Sequence, residues 1–270
     1  MKESREEKLF DFDIVAEMYD SAKYLIRPAE RLVAVSNLAS GANVLDVACG
    51  TGWATLVAAK AVGTSGMVTG IDIATNLLGM AQQKAATAGI LNTKFLVGNA
   101  EALEFKESSF DNVICASSIF LFKDTGRVLN EWYRVLKPGG NVAFNTYGQG
   151  SFHPVSEIFH NRLVQFEEKP SPRRQLRLAD PDRCKDLLDN VGLINTRVIT
   201  EDLGLYFDGK EECWNYISNE LPSRQRIASL SPTKLEAFKG EFLKDINHLL
   251  TNQGIWISLP VNFCIGEKPY

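Results

Sequence analysis

Residues Val44–Gly52 read VLDVACGTG, and Gly70–Ile73 read GIDI. In the first stretch Val44, Leu45, Val47 and Ala48 surround one acid, Asp46, before Cys49, Gly50, Thr51 and Gly52. A β-branched run that breaks into Gly-x-Gly and continues as WATLVAAKAV predicts strand, tight turn and helix. The two glycines let backbone approach a ligand closely, and the following helix start offers unpaired N–H groups to an anion.

Outward from this turn the pattern repeats. Strands are expected at 43–48, 67–72, 93–97, 110–116 and 141–146, with helices at 52–62, 75–88 and 124–136. Pro138-Gly139-Gly140 is expected to be a turn. Strands that alternate with amphipathic helices mean βαβ units and a parallel sheet, and strands such as VLDVA and FDNVICA are apolar on both faces, as buried parallel strands are. Upstream, apolar spacing predicts a helix at 13–24, and Pro28 opens a second that ends at Ser40-Gly41. Downstream, helical patterns cover 154–166, 181–191, 211–219 and 232–250, and strands are expected at 194–200 and 255–265. The chain thus reads as one domain over 1–270: N-terminal helices at 13–40, a ligand-binding core at 41–147, cap elements within 148–252 and a closing strand within 253–270.

The 270 residues are 45% hydrophobic and 23% charged, with net charge −4, which is ordinary for a soluble globular protein and speaks against a nucleic-acid polyanion as partner. Cys49, Cys115, Cys184, Cys213 and Cys264 form no C-x-x-C pair, so neither zinc site nor disulfide framework is signalled and buried thiols are expected. No apolar run is long enough for a membrane span and the charged N-terminus is no secretory signal, so a cytoplasmic enzyme is expected.

Two ligand classes use such a turn. A dinucleotide site wants G-x-G-x-x-G, but the third position here is Thr55. Asp72, at the end of the second strand, can accept from both hydroxyls of a ribose. VLDVACGTG, GIDI, GNAEAL (98–103), SFDNVICASS (109–118) and RVLKPGG (134–140) together resemble the ordered motifs of class I S-adenosylmethionine-dependent methyltransferases, in the ubiquinone/menaquinone-biosynthesis-like, small-molecule branch.

That resemblance implies a Rossmann-like α/β fold: a seven-stranded, mostly parallel sheet with helices on both faces, the last strand antiparallel, plus the N-terminal helices and a helical insert. It implies S-adenosylmethionine as cofactor, S-adenosylhomocysteine as product, and no metal. Residue by residue, Ala48, Gly50, Thr51 and Gly52 would border the methionine portion. Asp46 would lie beneath the turn, accepting from backbone or from the cofactor's ammonium. Asp72 would take the ribose, Ile73 would pack on adenine, and Asn99, Ala100 and Glu101 would read its edge. Asn99 stands where many relatives have Asp; its amide oxygen can still accept from the adenine amino group. Ser117 would lie beside the methionine, and Tyr19 would close over the cofactor. Arg134 and Pro138-Gly139-Gly140 would set a helix end and a strand entry.

The expected activity is methyl transfer by in-line displacement to the O, N or C of a small, partly apolar or aromatic metabolite. Alignment and a dry cavity supply much of such a rate, so no catalytic dyad is required. His153 is the candidate general base, with His160 a weaker one, while His248 reads as surface helix. Phe120, Phe122, Phe152, Phe159 and Tyr206 are candidates for the pocket wall, and Arg173, Arg174 and Arg177 form a basic cluster. A nucleic-acid or protein methyltransferase and a non-catalytic cofactor-binding protein are the alternatives.

Overall fold

The computed structural model describes residues 23–168, 178–219 and 221–270. The strands, in chain order, are β1 (Asn43–Val47), β2 (Met67–Asp72), β3 (Thr93–Val97), β4 (Phe110–Cys115), β5 (Leu136–Tyr147), β6 (Ile194–Asp202), β7 (Leu205–Phe207), β8 (Ile255–Ile257) and β9 (Pro260–Glu267). The helices are α1 (Lys23–Val35), α2 (Trp53–Val62), α3 (Thr75–Thr87), α4 (Thr125–Val135), α5 (Val155–Leu163), α6 (Pro181–Asn190), α7 (Lys210–Asn219), α8 (Leu221–Ile227) and α9 (Pro232–Asp245). The chain divides into two compact units, Met1–Thr146 with Asp180–Thr200 and Asn262–Tyr270, and Tyr147–Ala179 with Glu201–Val261.

The seven-stranded sheet has the order β3-β2-β1-β4-β5-β9-β6. Registers through β3, β2, β1, β4 and β5 are parallel. In contrast, the Gly139 N–H donates to the Lys268 carbonyl and the Gly148 N–H to the Pro260 carbonyl, so β9 runs against β5. The expected mostly parallel sheet with its last strand antiparallel is therefore present. β1 is buried after Asn43, because it sits centrally and both faces are covered. All five cysteines are buried and free.

Local expectations change at Pro138-Gly139-Gly140 and at Pro28. Pro138-Gly139-Gly140 is not a turn that separates helix from strand but an irregular stretch within β5. Phe110 pairs with Leu136, whereas Asn112 already pairs with Asn141, so β5 carries extra residues there, as a bulge does. Gly139 takes φ +74, and a Cβ on Gly140 would meet the Asp111 carbonyl oxygen at 2.7 Å. Pro28 does not open its helix; it lies inside α1, where it has no N–H to return to the preceding turn. The helix expected at 13–24 lies outside the described residues except for its last two, which begin α1.

Arg134 ties the loop before β4 to α4, as a structural residue would: it donates to the carbonyls of Phe105 (2.7 Å) and Leu103 (2.9 Å) and pairs with Glu131.

The second unit is built round aromatics. Phe159 of α5 meets Phe238 and Phe242 of α9 at ring-centroid distances of 5.0 and 5.3 Å, and Trp214 of α7 meets Phe238 at 5.5 Å. Phe238 and Phe242 are fully buried. Arg162 clamps Asp245 with two hydrogen bonds of 2.7 and 2.9 Å, and Arg226 does the same to Glu167 at 2.7 Å each. The strand expected at 255–265 is two strands. β8 pairs with β7 in a separate antiparallel sheet, and the break falls where Asp202 accepts from Ser258 Oγ and the Leu259 N–H at 2.8 and 2.7 Å. A carboxylate that takes the backbone N–H withdraws it from a ladder.

Candidate active site

Parallel strands deliver their carboxyl ends to one edge of the sheet, and the strand order reverses between β1 and β4, where open α/β sheets bind ligands. A cavity of about 390 Å³ lies there. Of the residues expected to bind cofactor, Ala48, Gly50, Thr51, Asp72, Ile73, Asn99, Ala100, Glu101 and Ser117 line it. Leu25 and Ala29 of α1, Trp53 and Ala54 of α2, Leu77 of α3 and Leu121 and Phe122 after β4 add an apolar wall.

The turn after β1 is held in left-handed backbone, with φ +53 at Ala48, +53 at Gly50 and +83 at Gly52. Asp72 fastens it. Its Oδ2 accepts from the Gly50 N–H at 2.8 Å and its Oδ1 from the Ala74 N–H at 2.9 Å. Each carboxylate oxygen keeps further lone-pair capacity for a ligand hydroxyl.

Gly52 itself does not line the cavity. A Cβ there would stand 2.9 Å from Ala81 Cβ and 3.3 Å from the Phe95 ring, so glycine is required by the packing of α3 and β3 against the turn. Gly52→Ala is expected to lower stability by about 1–3 kcal/mol through this overpacking, and an unchanged urea midpoint would refute it.

Asp46 is likewise beneath the cavity rather than on it. It is wholly buried, accepts from Thr55 Oγ1 at 2.5 Å, and leaves Oδ1 without a partner. Burial pushes its carboxyl up to about 7, helped by the charge of Asp72 and opposed by the Thr55 hydrogen bond. Thr55 occupies the position of the missing third glycine. The room comes from the facing strand instead: Gly70 is in register with Asp46, and a Cβ there would lie 2.9 Å from Cys49 Sγ and 3.1 Å from Thr55 Oγ1.

Beyond β2, at the end of β3, Asn99 Oδ1 accepts from the Glu101 N–H at 2.9 Å, which shapes the 99–101 turn. Ser117, at φ +51, follows β4. Its N–H donates to Asn145 Oδ1 at 3.1 Å, and Asn145 Nδ2 donates to Ser117 Oγ at 2.9 Å. Asn145, fully buried, did not emerge from the motifs; the signal was an amide inside the apolar run VAFNTY.

His153 lies in the second unit, half exposed, with Nε2 2.9 Å from Glu157 Oε2. His160 Nδ1 is 2.8 Å from Arg226 Nη1, and His248 donates to the Asp245 carbonyl. Phe122 borders the cavity, whereas Phe159 belongs to the second unit's core. Tyr19 and the cluster Arg173, Arg174 and Arg177 lie outside the described residues. Among the described residues no group of three His, Cys, Asp or Glu is arranged to hold a metal ion, and no helix is long and apolar enough to cross a membrane.

Residues 2–164 match the family described as ubiE/COQ5 methyltransferase. A demethylmenaquinone methyltransferase of Listeria monocytogenes serotype 4a is 33% identical over 167 residues, or 59% of this chain and 70% of that protein. The YcgJ protein of Bacillus subtilis superposes with a TM-score of 0.60 at 22% identity, over 90% of this chain and 99% of that one. Phosphoethanolamine N-methyltransferase 2 of Haemonchus contortus, solved with phosphomonomethylethanolamine and S-adenosylhomocysteine, gives 0.56 at 23% identity, over 90% and 53%. The last two likenesses are of fold.

Proposed function

Because the chain belongs to the ubiE/COQ5 methyltransferase family and is thus an S-adenosylmethionine-dependent methyltransferase, we propose that it methylates a small, partly apolar ring compound of the quinone class. The observation that carries the reading is the cavity at the strand-order reversal, polar along the β1–β2 edge and apolar along α1 and the 121–122 segment.

S-adenosylmethionine, when bound, supplies an activated methyl group on a sulfonium. The residues present suit it. Asp72 would accept from the ribose hydroxyls, Ile73 would cover the adenine, and the 99–101 turn would meet its edge. The Gly50-Thr51-Gly52 turn and the start of α2 would hold the carboxylate end. Asp46, wholly buried beneath the turn where its charge is disfavoured, braces that turn through the Thr55 hydroxyl. Leu25, Ala29, Leu121 and Phe122 exclude water and align an apolar acceptor. The sequence expectation of a general base at His153, which does not line the cavity, is tested by His153→Ala; turnover at the native rate across pH would remove that role.

The likeness to demethylmenaquinone methyltransferases makes a reduced demethylmenaquinone analogue with a short side chain the first acceptor to assay. Calorimetry should register binding of S-adenosylmethionine to the purified protein, and labelled methyl should appear in the ring. Folded protein that binds no cofactor overturns the reading; cofactor binding without transfer to any quinol restricts it to the donor half.

A further inference from the structure

The Ser117–Asn145 pair carries chemistry beyond holding the turn. β5 continues past the end of β4, with Ile114 beside Ala143 and Cys115 beside Phe144, so Asn145 comes level with the segment that leaves β4 for the cavity. A backbone N–H can only donate, so the atom of Asn145 that faces the Ser117 N–H at 3.1 Å must be the amide oxygen. That fixes the other end: Nδ2 faces Ser117 Oγ at 2.9 Å and donates to it. A hydroxyl that accepts from Nδ2 cannot aim its own proton there. Among the described residues Ser117 Oγ has no acceptor of its own, and Ser117 lines the cavity.

The ligand group it meets follows from topology. Asp72 ends β2, on one side of β1, so the ribose end belongs to that flank. Ser117 follows β4, on the other side of β1, next to the glycine turn and the start of α2. On the proposed cofactor reading this flank would receive the amino-acid end, whose carboxylate is a strong acceptor.

We infer that Asn145 is a positioning residue that turns the Ser117 hydroxyl into a hydrogen-bond donor toward the carboxylate of the bound cofactor. The inference rests on the proposed cofactor reading and adds a role for a buried residue that never touches the ligand.

Asn145→Asp is the informative change. An aspartate still accepts from the Ser117 N–H but cannot donate to Oγ, so the hydroxyl proton swings back onto it and is lost to the cavity. Calorimetry with S-adenosylhomocysteine and with methylthioadenosine, which lacks the amino-acid end, reads this without any methyl acceptor. Asn145→Asp and Ser117→Ala should each weaken S-adenosylhomocysteine about tenfold or more, the usual size for a lost hydrogen bond to a charged group, and leave methylthioadenosine unchanged. The double variant should bind no more weakly than Ser117→Ala alone, because the two act through one proton.

A parallel loss for both ligands would show a merely structural role and overturn the inference. So would unchanged binding in either variant, or a further loss on adding Asn145→Asp to Ser117→Ala, which would mark simple charge repulsion. Should Asn145→Asp fail to fold, Asn145→Ala, which removes the Nδ2 donor without adding charge, carries the same expectation. Wild-type protein that binds neither ligand would instead reject the cofactor reading itself.

Discussion

Asp72→Ala is expected to weaken S-adenosylmethionine by at least about a hundredfold in a calorimetric titration. Hydrogen bonds to a charged group contribute roughly 1.5–3 kcal/mol each, and two ribose hydroxyls would lose theirs. The variant also releases the Gly50 N–H, now held at 2.8 Å, and the Ala74 N–H at 2.9 Å. The turn after β1 and the start of α3 thus lose their common anchor, and part of the loss will be in turn geometry. Asp72→Asn separates the two: its amide oxygen can keep one backbone bond while the charge is gone, so it should fall between wild type and alanine. An Asp72→Ala protein that binds within a few-fold of wild type would remove Asp72 from the ribose site.

The second large effect is on stability against pH. Asp46 holds its proton to about pH 7 in the folded chain, against an ordinary value of 3.8, because burial disfavours the charge. Between those values the native state binds more protons than the unfolded chain, so this group's contribution falls as pH rises through the window and is flat above it. At about 1.4 kcal/mol per unit the whole fall is on the order of 4 kcal/mol. Asp46→Asn keeps the volume and an oxygen for the Thr55 hydroxyl but has nothing to titrate. Its stability relative to wild type should therefore rise by several kcal/mol from about pH 4 to about pH 8, by urea unfolding without cofactor. Curves that stay parallel over that range would sink the idea.

Much of this was legible in the amino acids. Local pattern was sufficient for β1 to β4 and the helices between them, because strands buried on both faces and helices buried on one leave a periodic apolar trace. Segments whose structure depends on a distant partner were not. Pro138-Gly139-Gly140 looks like a turn locally, yet it is drawn into β5 by hydrogen bonds with Lys268, the residue after β9. Residues 255–265 look like one strand, and the Asp202 carboxylate divides them.

At the site, the sequence alone determined the chemistry on offer: a glycine turn, an acid at the end of the next strand, a polar turn after the third and a serine after the fourth. Each is a local signal, since strand ends and turns are written in neighbouring residues. Which of these side chains face the cavity was decided only by tertiary structure. Packing turned Gly52 toward Ala81, sank Asp46 under Thr55 where its charge is disfavoured, and moved the small residue of the turn from position 55 to Gly70 on the facing strand. It also brought Asn145 alongside Ser117 across 28 residues. That pairing follows from the register of two parallel strands, and register is a property of the assembled sheet.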